Sequence, residues 1–110
     1  MTNTEPDAPI TVVDDVLKLA PIEAGKLGHF TVLKSEDVRV VVLAFEAGFV
    51  LKEHAAPKTL LMQALDGALR VTAGGRIVEL APGSLIRLES GERHQVEALE
   101  DSRLMLTLIR

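Results

Sequence analysis

The chain has 110 residues, 47% of them hydrophobic and 25% charged, the balance of one folded globular domain and not of a disordered or fibrous chain. Its 12 basic and 16 acidic side chains give a formal charge of −4, and the basic residues are scattered, so there is no electrostatic footprint for nucleic acid or an anionic membrane. Cysteine is absent, which excludes disulfides, thiolate ligands and cysteine nucleophiles and leaves any metal to nitrogen and oxygen donors.

Residues 1–10, with Pro6 and Pro9 among small polar residues, read as a flexible N-terminal arm, and 11–110 as a single domain. Residues 1–7 lack the basic and apolar regions of a secretion signal, and the longest apolar run, 40–45, is too short to span a bilayer. We therefore expect a cytoplasmic protein with no membrane partner. Next, Val12, Val13, Val16, Leu17 and Leu19 fit either a short helix or an irregular edge segment, which Pro21 stops in both cases.

From Gly28 onward short apolar or alternating runs are separated by turn residues, the signature of an all-β sandwich or barrel. The runs cover 28–33, 37–45, 49–53, 59–65, 68–73, 76–80, 84–88, 94–99 and 103–109. Asp66-Gly67 and Gly74-Gly75 favour the positive φ of tight turns and bracket an expected hairpin. Residues 38–45 are apolar except for Arg39, as in a strand covered on both faces. In so small a domain this leads us to expect a homodimer. In the last run, Leu104, Leu106 and Leu108 bury one side and leave Met105 and Ile109 on the other. With only Phe30, Phe45 and Phe49 as aromatic residues, stacking on sugars or bases is disfavoured.

Residues 48–67 resemble the first motif of the cupin family, which places a Gly, five residues, His-x-His, a Glu and a closing Gly over two strands. Gly48, His54 and Gly67 stand at those spacings. Residues 83–98 are similar to the second motif, with Gly83, Gly91 and His94 in register, although Glu89 replaces its Pro and Ala98 its closing Asn. The resemblance covers about residues 38–109. It implies a small single-domain, RmlC-like cupin, a double-stranded β-helix or jelly-roll barrel.

In that family four side chains converge inside the barrel on a metal. Carried over by position, the first and fourth are His54 and His94, but the second falls on Ala56 and the third on Leu60. Two imidazoles alone hold a divalent ion poorly, because stable sites use three or four ligands. Of the neighbouring Glu53, Gln63, Gln95 and Glu97, Gln63 is the best rescue ligand. No cofactor is expected, a divalent transition metal at His54 and His94 being the alternative.

The remaining candidates are weaker. Ala56, Leu60 and Met62 are expected to form an apolar cavity floor beside the two histidines. Lys52 and Glu53 are rim groups able to meet a charged ligand, whereas His29 has no motif around it and reads as a surface or strand residue. Glu89, Glu92, Glu97, Glu100 and Asp101 read as a solvated rim. No serine lies in a nucleophile-elbow context, and Gly74-Gly75 is a turn and not a phosphate loop.

The reading is a barrel that binds a small molecule without a tightly held metal, through His54, His94, Ala56, Leu60, Met62 and Gln63. The alternative is a metal-dependent enzyme of dioxygenase or isomerase type that uses His54 and His94. A third, an interaction barrel without a ligand, requires a cavity filled by side chains.

Overall fold

The computed structural model describes residues 9–110; most of the proposed arm lies outside them. Nine strands form in chain order: β1 (Gly28–Lys34), β2 (Val38–Phe45), β3 (Val50–His54), β4 (Leu60–Asp66), β5 (Leu69–Ala73), β6 (Arg76–Leu80), β7 (Leu85–Leu88), β8 (His94–Ala98) and β9 (Ser102–Ile109). Each falls within a residue or so of one expected run. They build two antiparallel sheets, one in the order β1-β2-β9-β4-β7 and the other β3-β8-β5-β6. This is the all-β jelly-roll arrangement that the motifs imply.

Alternation sorts β2 into two faces. Val41, Leu43 and Phe45 join Leu60, Met62, Leu69, Val96 and Leu104 in the core between the sheets. Val42 turns the other way and packs with Ala20 and Val32, where Val13, Val16, Phe30 and Met105 surround them. The doubly apolar strand is thus covered on its second face by the chain's own N-terminal segment, which supplies what a second subunit was expected to supply. The covering segment forms turns at Val16–Leu19 and not a helix. The Asp15 carboxylate accepts from the Leu17 amide at 3.1 Å, and Arg103 donates to the Ala20 carbonyl at 2.7 Å while pairing with Asp66. Met105 lies on this second face as expected, whereas Ile109 is exposed.

The Gly74-Gly75 pair, both at positive φ, closes the expected β5–β6 hairpin. At the other bracket the chain crosses from one sheet to the other through Gly67, at φ 75°. A Cβ there would overlap the Asp101 carbonyl oxygen and the Ser102 side chain. Ser102 is fully buried, and its hydroxyl accepts from the Ala68 amide at 3.0 Å and reaches the Glu100 carbonyl at 2.7 Å. Among the described residues no helix is long and apolar enough to cross a membrane.

Positive φ costs an L-residue roughly 1–2 kcal/mol before any overlap is counted. Gly67→Ala is therefore expected to lower the melting temperature, by roughly 4–8 °C per kcal/mol for a domain of this size. Calorimetry checks it, and an unchanged midpoint would show that the crossing relaxes without cost.

Candidate functional site

His54 ends β3 and His94 begins β8, and the two are direct cross-strand partners. Their rings lie 4.2 Å apart between centroids, tilted by 58°. On β8 the inward positions are His94, Val96 and Ala98. On β3, Leu51 faces Val96 and His54 faces His94, so three steps on one strand match two on the other. This β-bulge at Lys52 and Glu53 reconciles two inward residues an odd number of positions apart, which strict alternation forbids. Without it His54 would point to solvent.

Backbone carbonyls set the state of both rings. The His94 Nδ1 lies 3.0 Å from the Glu92 carbonyl oxygen and the His54 Nδ1 lies 3.1 Å from that of Lys52. A carbonyl only accepts, so each Nδ1 carries a hydrogen and each neutral ring keeps its lone pair on Nε2. His94 is 1% exposed, and its Nε2 has no hydrogen-bond partner among the described residues. Burial holds its pKa below the ordinary 6.5; the Glu92 carbonyl opposes this, while the charge of His54 lowers it further and that of Glu92 raises it.

Beside this pair a cavity of about 330 Å³ opens between the sheets. Val41, Leu43, Leu51, Leu60, Leu106 and Leu108 form its apolar wall, and His54, Ala55, Ala56 and Pro57 one side of its rim. The rim loop is tied to the β7–β8 turn, because the Gly91 amide donates to the Ala56 carbonyl at 2.8 Å and the Ser90 hydroxyl to that of Pro57 at 2.6 Å. The cavity is not filled by side chains, the condition the ligand-free reading required.

The expected site residues are thus partly brought together. His54, Ala56 and Leu60 line the cavity, and His94 backs the His54 ring. Met62 is 1% exposed within the packed core and is no part of the cavity wall. Gln63 lies on the opposite face of β4 from Leu60 and Met62, opposite Met105 and Leu85, so the alternation that points Met62 inward removes Gln63 as a rescue ligand. Glu53 is held by Arg93 at 2.7 Å, and Glu97 lies 3.4 Å from Arg70. Among the described residues no three His, Cys, Asp or Glu side chains are placed to share a metal ion. A metal of the family type does not fit this donor set, since Ala56 and Leu60 bring no lone pair to the two vacated ligand positions.

Two polar residues of the cavity escaped the sequence reading. His29, exposed on β1, lines it, as does Arg39 from the inward face of β2. The signal for Arg39 was present: it is the one charge in the run 38–45 and shares the parity of Val41 and Leu43.

The profile of the AraC-like ligand-binding domain matches residues 40–109. No curated protein matches the chain by sequence. Among solved structures, a conserved protein of unknown function from Streptococcus pyogenes superposes with a TM-score of 0.80 at 20% identity, covering 100% of this chain and 96% of that one. A cupin superfamily protein from Desulfitobacterium hafniense gives 0.80 at 14% identity, covering 97% and 94%. A protein from Thermus thermophilus gives 0.78 at 26%, covering 89% and 97%. The architecture they share with this chain is the small cupin barrel.

The buried histidine makes stability depend on pH with a definite sign. The folded pKa of His94 lies below 6.5, so the unfolded chain binds the proton first as pH falls. Stability is then full above about 6.5 and declines below it, with a slope of at most about 1.4 kcal/mol per pH unit for one proton. Chemical denaturation between pH 7.5 and 5.5 should show this decline, and His94→Gln should flatten it. Identical pH profiles in the two proteins would rule out His94 as the titrating group.

Proposed function

The chain belongs to the AraC-like ligand-binding domain family, and we propose that it binds a small molecule in the cavity beside His54 and His94, without a tightly held metal. The supporting observation is the cavity itself, about 330 Å³ of preformed space with apolar walls and a few polar groups at its edge, the usual constitution of a small-molecule site. His54 stands at the rim with its Nδ1 bonded to a carbonyl, leaving Nε2 to accept a hydrogen bond from a ligand. Ala56 and Leu60 replace metal ligands with apolar surface, favouring a ligand recognised by shape and burial over one recognised through an ion. In this reading His94 packs against the His54 ring and orients it, and does not itself touch the ligand. The metal-dependent alternative would need a third donor, and among the described residues no three His, Cys, Asp or Glu side chains are placed to share an ion.

The neutral probe 1-hexanol tests the site. Its titration followed by amide NMR should produce saturable shifts at Leu43, Leu51, Leu60 and Leu106, and Ala56→Phe should abolish them by narrowing the mouth. Shifts spread over the surface, or none, would refute the cavity as a ligand site. Elemental analysis of protein purified without added metal or affinity tag should find no stoichiometric transition metal; one per chain would overturn the metal-free reading.

A further inference from the structure

We propose that the ligand of this cavity is a small organic anion, a carboxylate on an apolar body, whose carboxylate pairs with Arg39. The inference rests on the reading of the cavity as a small-molecule site and names the class of molecule it takes. Arg39 projects from the same face of β2 as Val41 and Leu43, and its direct neighbour on β9 is Leu108. Its Nε is buried and has no hydrogen-bond partner among the described residues. None of the ion pairs among those residues uses Arg39. Arg39 is half-buried, an Nε removed from water without a partner is costly, and a carboxylate matches the planar guanidinium fork with two parallel hydrogen bonds.

The surroundings carry the same sign. The cavity lining contains no Asp or Glu, and its other polar side chains are His29 and His54. An adjoining depression shares Arg39, Pro57 and Leu108 with the cavity and adds Lys58 and Arg110. Lys34 is the cross-strand neighbour of Arg39 on β1. The β1–β2 turn at this end carries two acids, Glu36, which is exposed, and Asp37, whose carboxylate accepts from the Ser35 hydroxyl at 2.7 Å. Arg110 donates to the Ser35 carbonyl at 3.0 Å and is anchored beside them. On a chain of net charge −4 the cavity mouth is thus locally cationic, which draws an organic anion in and disfavours an amine. Between Arg39 and the two histidines the wall is aliphatic, formed by Val41, Leu43, Leu51, Leu60, Leu106 and Leu108, so the body of the molecule is apolar.

Three probes of equal chain length, hexanoate, 1-hexanol and hexylamine, separate the possibilities in amide NMR titrations of the full chain. Hexanoate should bind at least tenfold more tightly than 1-hexanol, and hexylamine more weakly than either. Arg39→Met, which keeps the length and apolar stem of the side chain, should erase the advantage of hexanoate while leaving 1-hexanol affinity within about twofold. If 1-hexanol or hexylamine binds as well as hexanoate to the unaltered protein, the anionic class is wrong and the cavity reading survives. If hexanoate keeps its advantage in Arg39→Met, the assignment to Arg39 is wrong. If none of the three shifts the cavity amides, the small-molecule reading fails and takes this inference with it.

Discussion

Burial of β2 on both faces is the constraint on which the rest of the barrel depends. The strand pairs with β1 on one edge and, over its whole length, with β9 on the other. One face packs Val41, Leu43 and Phe45 into the inter-sheet core, and the other packs Val42 under the N-terminal segment. Each such aliphatic side chain contributes roughly 1.5–3 kcal/mol when removed from water, so neither face can be left open in a domain of this size. The turn around Ala20, pinned by Arg103, is therefore a structural wall of the barrel and not an appendage.

The same strand places the chemistry. Arg39 lies two residues before Val41 on the inward face, where the core gives way to the cavity. The strand that forms the centre of the apolar core thus ends in a cation at the barrel mouth. Across the cavity the bulge in β3 turns His54 inward against His94. A polar wall therefore faces a charged edge, with Leu60, Leu106 and Leu108 between them.

His94 shows what the site costs the fold. A buried ring nitrogen without a partner forfeits about 1–3 kcal/mol relative to one that is hydrogen-bonded, and the neutral state limits that cost by avoiding a buried charge. An apolar residue would serve packing better at this place beside Val96. Packed against the His54 ring, His94 leaves the pair with one oriented imidazole at the cavity.

Residue identity alone determined where the strands fall along the chain, because runs such as 76–80 and 103–109 alternate with turn residues that tolerate few other conformations. The resemblance to the cupin motifs implied that His54 and His94 lie near one barrel mouth, and the strand pairing brings them together. Parity further marked Arg39 as inward, a signal that went unread because a single charge in an apolar strand looks like an interruption. The tertiary structure alone decided what covers the second face of β2, since an apolar face specifies burial but not the surface that provides it. It decided likewise that His54 points inward, because a bulge is an extra residue in the pairing of two strands and has no local signature in either. The fate of Met62 followed from depth: alternation assigns a side of the sheet, and only the packing of the opposite sheet determines whether that side is filled core or open cavity.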